Sequence, residues 1–369
     1  MRVVVIGGGL AGMVAAREVA ARRRSGDEVV LLERSTRLGG KAGSDDRGGR
    51  LVEHGYHVFP RWYPNVRRIL DEIGTTLIDF DRYHYLVAGS FPELVTVRGP
   101  KDLPSVLHNV TRGLLPWYQT ILFFGFTLDM ISRPLSHKRL LDHVSQIGLM
   151  RDTWYVTEEV AELNQENLLK ASAIPAYDMS AMTAKKIGSY WLRQASPFLS
   201  VLPGDLQTTF IDPLAAKMRA AGVDVRLSTE VTGLDVAGGR VTAVRLADGS
   251  RLEGDRFVLA TPFEVSRRFV DGPLFELDPS LGDMHWLEAQ PMAALHVRLN
   301  ERLDGLPREH VFFHGGKFGL SFIDVAPLWG TPGVPTELSF IASNFTALQR
   351  LSNADATKAL LAEIKEYLP

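Results

Sequence analysis

Residues 3–16, VVVIGGGLAGMVAA, constrain this chain more than any other stretch. Val3, Val4, Val5 and Ile6 are β-branched and apolar throughout, as suits a strand buried on both faces of a parallel sheet. Gly7, Gly9 and Gly12 follow in the spacing Gly-x-Gly-x-x-Gly, and Met13 to Arg22 reads as a helix. The first glycine permits a tight turn, the second lets the backbone approach a pyrophosphate, and the third lets helix and strand pack closely. The helix N-terminus offers free N–H groups and a partial positive charge to phosphate. A second strand is expected over Glu28 to Leu32, and it ends at Glu33, placed to accept hydrogen bonds from a ribose diol. A glycine triplet alone is a weak signal. Strand, turn, helix, second strand and acidic end in that order predict a dinucleotide-binding turn. Arg34 raises the alternative of a 2′-phosphate, although an exposed arginine after a strand is the commoner reading.

Composition narrows the rest. A length of 369 residues suggests two domains, and 45% hydrophobic with 23% charged residues gives ample core for a globular fold. A net charge of -2 gives no reason to expect nucleic acid. The chain has no cysteine, which excludes disulfides, thiolate metal sites and a cysteinyl cofactor link, and fits a cytoplasmic protein. Its histidines show no H-E-x-x-H spacing, so no metal site is expected. The apolar run at Val3–Ile6 is too short for a signal peptide. No internal repeat or low-complexity tract stands out.

Beyond the acidic strand end, ERSTRLGGKAG (33–43) places Gly39-Gly40-Lys41 where a second glycine pair and a basic residue occur in the FAD-containing amine oxidase and carotenoid desaturase superfamily. LVEHGYHVFPRWYPNVRRILDEIG (51–74) resembles the plant-type phytoene and ζ-carotene desaturases, with Gly-x-His, Tyr-Pro-Asn and a helix ending near glycine. The resemblance continues through 204–236, through the 238–269 hairpin with its V-x-A-x-P strand, and through MAALHVRLNERL and TELSFIASNF. It implies an α/β fold, with a Rossmann-like FAD-binding domain of the glutathione-reductase type and an inserted α+β substrate domain. The expected FAD-binding domain covers 1–84 and 204–262, and the substrate domain 85–203 and 263–369. Residue by residue, the resemblance puts Gly7, Gly9, Ala11 and Gly12 at the FAD diphosphate, Glu33 and Arg34 at the adenosine ribose, and Gly39, Gly40 and Lys41 along the diphosphate and flavin side. His57, Val58 and Tyr63 would line the isoalloxazine, Val231 would hold adenine through its backbone, and Ala260 and Thr261 would lie nearby. His57 reads equally well as a core histidine, and Tyr63 as a packing tyrosine.

Two departures from the family pattern stand out. Where plant-type phytoene desaturases carry a substrate-facing arginine, QTTFIDPL places Thr209 or its neighbours. Family members also close on the cofactor with a later Gly-Asp and a helix opening Glu-Gly-Ala. Here Gly26-Asp27, Gly204-Asp205 and Gly254-Asp255 stand in other contexts. The C-terminal completion of the FAD domain is therefore expected to be absent, the chain being a fragment or being completed by another polypeptide.

Outside the nucleotide domain, Leu114 to Ile131 is strongly apolar, with Trp117, Tyr118, Phe123, Phe124 and Phe126. Arg112 precedes it, and Arg133, Lys138 and Arg139 follow. It is too short and too interrupted to span a bilayer. Two readings remain open: an interfacial segment making peripheral membrane contact, or a buried helix of the substrate domain. The expected activity is hydride removal from a long apolar isoprenoid or carotenoid-like substrate, with electrons passing to a quinone or to oxygen. No catalytic side chain is assigned. The alternatives are an amine or protoporphyrinogen oxidase, a redox-neutral flavin isomerase, and a non-enzymatic subunit or binding module.

Overall fold

The computed structural model describes residues 1–46, 48, 51–132, 138–193, 197–331 and 333–369, so Arg133 and the side chain of Lys138 lie outside the described residues. The chain divides into two compact units, one of Met1–Glu53, Ile69–Thr75 and Gly204–Ala289, the other of His54–Arg68, Thr76–Pro203 and Gln290–Pro369. The boundaries differ from those expected at 84 and 262. Arg82–Val87 is a strand of the second unit's sheet, while Phe269 from the Phe263–Val270 helix enters the core of the first.

In the first unit, β1 (Arg2–Ile6) is followed by α1 (Leu10–Ala21) and β2 (Glu28–Leu32). β1 lies second in a four-stranded sheet ordered Arg256–Leu259, β1, β2, Asp224–Arg226, and every pairing is parallel. Interior strands of such a sheet are covered on both faces, which is why Val3–Ile6 and Val29–Leu32 are apolar at every position and buried. Val4, Ile6, Val30 and Leu32 share one core with Val231 and Val244 of an antiparallel three-stranded meander. Burying each such aliphatic side chain stabilises the fold by about 1.5–3 kcal/mol.

The second unit is built on a six-stranded mixed sheet ordered Ala293–Leu299, Thr336–Ala342, Leu320–Asp324, Val311–His314, Arg82–Val87, Val95–Arg98. Its one parallel pairing joins Val311–His314 to Arg82–Val87. Strand alternation sorts Val311 and Phe313 into a core with the C-terminal Asn353–Tyr367 helix, where Phe313 stacks on Tyr367 at 4.1 Å. His310, Phe312 and His314 belong to the opposite face. A second core, of Phe126, Met130, Leu141, Met150, Val160 and Met182, belongs to the helices between 117 and 193.

Candidate cofactor and ligand sites

The glycine turn of the first unit shows why each position is glycine. Gly7 has φ +107, and a Cβ there would lie 2.9 Å from Ala260 O. A Cβ on Gly12 would lie 1.9 Å from Gly7 O, so the turn and α1 can pack only without one. Gly8 is equally closed, against Leu38 and Glu33. Gly9 is different. A Cβ there would meet nothing nearer than Gly39 O and Gly40 Cα, both at 4.0 Å, and its φ of -72 suits any residue. Packing within the chain therefore does not require glycine at position 9. Gly9 is also the N-cap of α1 and supplies no side-chain cap, so the first-turn amides of α1, Ala11 and Gly12 among them, lack the usual capping partner. Open space before an uncapped helix N-terminus fits a diphosphate.

The acidic end of β2 lies beside this turn. Glu33 is buried; its Oε2 accepts from Gly8 N at 2.6 Å and its Oε1 from Ser35 N at 2.8 Å. Each carboxylate oxygen retains further acceptor capacity, so a ribose hydroxyl can join these bonds. Arg34 is exposed. Gly39 N donates to Gly8 O at 2.9 Å and Gly39 bridges Gly9, bringing the two glycine loops together backbone to backbone. Gly39 and Gly40 both have positive φ, +114 and +57, and a Cβ on Gly40 would lie 3.0 Å from Gly9 Cα. Lys41, exposed, pairs with Glu264 at 2.9 Å. Ala260 N bonds to Ile6 O at 2.8 Å, and Thr261 Oγ1 to Ser266 Oγ at 2.8 Å. Val231 opens a strand with its side chain in the sheet core, which leaves its backbone as the part able to meet a ligand.

Sequence reasoning missed one component of this neighbourhood. Gln207–Ile211 forms a π-helical turn ahead of the Asp212–Ala220 helix. Such turns are concentrated at functional sites. Gln207 Nε2 donates to Asp212 Oδ1 at 2.7 Å, its Oε1 is buried without a hydrogen-bond partner among the described residues, and a Cβ on Gly43 would come within 3.4 Å of that oxygen. No periodicity in QTTFI marks a π turn; the Asp-Pro helix start was the nearest available signal. Thr209 Oγ1 in this turn donates to Asp205 O at 2.6 Å.

His57, Val58 and Tyr63 belong to the second unit. His57 and Val58 are half-buried, Val58 bridges Val201, and Tyr63 is exposed. The same unit contains a cavity of about 260 Å³. Its walls come from the sheet (Tyr83, Phe312) and chiefly from the helices Trp117–Ser132, Glu158–Ser172 and Ala181–Arg193, with Asn109 and Gln146 added from Leu103–Arg112 and Gln146–Arg151. Tyr83 stacks on Phe198 at 5.2 Å and lies 5.1 Å from Phe312, and Phe198 lies 4.4 Å from Trp191, so this wall is continuous aromatic surface. Burial pushes the Tyr83 hydroxyl up to about 12, which keeps it neutral. Lys170 is fully buried with its ammonium 5.3 Å from the Phe312 ring centroid; Glu166 and Phe313 O accept its hydrogen bonds, and Glu166 also meets His314 Nδ1 at 2.7 Å. Burial lowers the Lys170 pKa.

The Trp117–Ser132 helix has one side in the cavity wall and another exposed. Phe126 and Met130 are buried and line the cavity with Phe123 and Phe124, while Trp117, Tyr118, Ile121 and Leu128 are exposed. No helix among the described residues is long and apolar enough to cross a membrane.

A parallel β-α-β turn with a glycine cradle and an acidic second strand defines the first unit as a dinucleotide-binding α/β fold. The particular family follows: the chain belongs to the flavin containing amine oxidoreductases, whose family model matches residues 10–369, and the dinucleotide is FAD. It is 24% identical over 329 residues to the 15-cis-phytoene desaturase of Arabidopsis thaliana, an alignment covering 85% of this chain and 56% of that protein. To the carotenoid phi-ring synthase of Chlorobaculum tepidum it is 28% identical over 278 residues, covering 69% of this chain and 41% of that one. The chain thus spans about half the length of these curated relatives. A putrescine oxidase structure superposes with a TM-score of 0.72 at 19% identity, covering 100% of this chain and 82% of that one. That likeness speaks for the fold.

Proposed function

We propose that this chain is an FAD-dependent oxidoreductase that removes hydrogen from a long, apolar, isoprenoid-like substrate, with a membrane quinone as electron acceptor. The observation that carries the reading is the lining of the second unit's cavity. It is dominated by Phe, Trp, Leu, Ile and Met, and no Asp or Glu is among its described lining residues. An ammonium substrate, of the kind named for putrescine oxidase, would enter such a wall without a counter-charge and would carry a large desolvation cost. A hydrocarbon chain loses nothing on entry and gains by leaving water. The distant likeness to carotenoid-processing proteins supports the same substrate class.

In this reading Gly7, Gly9, Ala11 and Gly12 hold the FAD diphosphate, Glu33 and Arg34 the ribose, and Gly39, Gly40 and Lys41 the next stretch of the cofactor. Val231, Ala260 and Thr261 serve the adenine side, while His57, Val58 and Tyr63 serve the ring system. Bound flavin supplies the hydride acceptor. The chain's own residues hold the substrate in a fixed pose and exclude water. The outer face of the Trp117–Ser132 helix, flanked by the exposed Arg112 and Arg139, is proposed to rest on the membrane from which the substrate comes.

The test is anaerobic mixing of the FAD-loaded chain with isoprenoid polyenes in one series and with diamines in another, following flavin absorbance. Bleaching by polyenes and not by diamines is the expected result. Bleaching by diamines alone would overturn the reading.

A further inference from the structure

The cavity is not apolar all round. One stretch of its wall carries three carboxamides: Gln146, which opens the Gln146–Arg151 helix, and Asn164 and Asn167, one turn apart on the Glu158–Ser172 helix. Asn is a poor helix former, because its side chain competes for backbone hydrogen bonds. Cavity-facing positions of that same helix otherwise carry Leu168 and Ala171. Two asparagines there need a reason.

Their mutual bonds use only part of their capacity. Gln146 Nε2 donates to Asn164 Oδ1 at 3.3 Å, and Asn167 Oδ1 accepts from the Tyr85 hydroxyl. Gln146 is 2% exposed, yet its Oε1 has no hydrogen-bond partner among the described residues. The Nδ2 groups of Asn164 and Asn167 donate to no described residue. A buried, unmet acceptor and the spare donors of two half-buried asparagines therefore share one patch of a mostly apolar wall. A buried acceptor such as Gln146 Oε1 is rarely left so unless something else completes it.

We propose that this patch recognises a hydroxyl group on the apolar ligand, which makes the substrate class a long-chain isoprenoid alcohol and not a pure hydrocarbon. A hydroxyl both donates and accepts, so it can give its proton to Gln146 Oε1 while receiving an Asn Nδ2. An ether has no donor for Gln146. An ammonium has no acceptor for the asparagines, and its charge would join those of Arg98 and Lys185 in a wall without a described carboxylate. The inference rests on the cavity being the substrate site, as proposed above, and specifies the polar group of its occupant.

Three probes test it with the purified full chain: farnesol, farnesyl methyl ether and the parent C15 hydrocarbon, each titrated against tryptophan fluorescence, since Trp191 lines the cavity. Farnesol should bind about tenfold more tightly than either of the others, as expected for a site with buried polar groups to complete. In Gln146→Met, of similar length, the three affinities should converge to within about twofold while hydrocarbon binding persists. The comparison in the unaltered chain needs no variant to fold. Equal binding of all three probes would overturn the hydroxyl assignment and leave the apolar reading standing. Binding of none would remove both. A farnesol preference that survives in well-folded Gln146→Met would overturn the role given to this patch.

Discussion

Gly9 and Gly12 are three residues apart and identical in chemistry, yet the structure gives them opposite reasons to exist. At Gly12 a Cβ would lie 1.9 Å from the Gly7 carbonyl oxygen, an overlap that only movement of backbone can relieve. Gly12→Ala is therefore expected to destabilise the chain by about 3 kcal/mol or more, read as a lower urea midpoint with or without FAD. At Gly9 the same methyl meets open space and a backbone conformation that alanine adopts readily. Gly9→Ala should leave the apo midpoint within about 0.5 kcal/mol of the parent while weakening FAD binding at least about tenfold, because in the proposed site the methyl would stand where the diphosphate approaches the α1 amides. Titration of FAD into the two variants separates them. If Gly9→Ala bound FAD as the parent does, the cradle assignment would fail.

At the scale of elements, the sequence was most legible where one local rule decided the outcome. A run of β-branched residues, a glycine triplet and an acidic stop gave β1, the turn and β2, because a strand covered on both faces has no polar alternative. The later strands form at Ala293–Leu299, Val311–His314, Leu320–Asp324 and Thr336–Ala342. Their pairing order, and the strand Arg82–Val87 that joins them in parallel, depend on contacts far apart in the chain that periodicity does not encode. The cavity escaped for the same reason: Tyr83, Asn167, Trp191 and Phe312 are brought together by tertiary structure alone. The Trp117–Ser132 helix shows the limit of a hydropathy reading, since its polar residues Gln119, Thr120, Thr127 and Asp129 do not gather on one face. The structure separates its faces, and the mutations worth making change accordingly. Phe123 and Phe124, the most conspicuous aromatics in the sequence, line the cavity. The outward set is Trp117, Tyr118, Ile121 and Leu128. Replacing Trp117 and Ile121 with Gln should cut co-sedimentation with anionic liposomes several-fold and leave stability within about 0.5 kcal/mol, as for exposed positions. Phe126→Ala, on the buried side, should instead cost about 3–5 kcal/mol. Liposome binding that is indifferent to the Trp117 and Ile121 changes would make this helix an ordinary cavity wall.

For the whole molecule, the response of folding stability to pH follows from groups that the fold keeps from titrating normally. His310 is buried between Tyr56, whose hydroxyl meets its Nε2, and Phe312. Burial, with a smaller contribution from the Lys170 charge, lowers its pKa to about 3. Between that value and the ordinary histidine value of about 6.5 the unfolded chain binds a proton that the folded chain refuses. Stability from this source is therefore complete above pH of about 6.5 and is lost as pH falls toward 3, by up to about 1.4 kcal/mol per pH unit. Glu309 acts in the same direction over a lower window. His84, whose Nε2 lies 3.5 Å from its Oε2, and Arg82, which donates to its Oε1 at 2.7 Å, bring its pKa down to about 2, so its contribution is lost below the ordinary glutamate range. Asp324 and Glu363 oppose both, since burial raises their pKa values and the folded chain then holds protons that the unfolded chain has released. The interval from about pH 6.5 to 5 lies inside the window of His310 and above the ordinary carboxylate values, so a variant of His310 isolates its share there. Urea midpoints measured across that interval should fall on acidification. In His310→Gln, which has no proton to gain, the slope should diminish by about one proton, whereas in Glu309→Gln it should change only below about pH 4.5. An unaltered slope between pH 6.5 and 5 in His310→Gln would mean that His310 is protonated in the folded chain, and that the aromatic face of the sheet carries a charge.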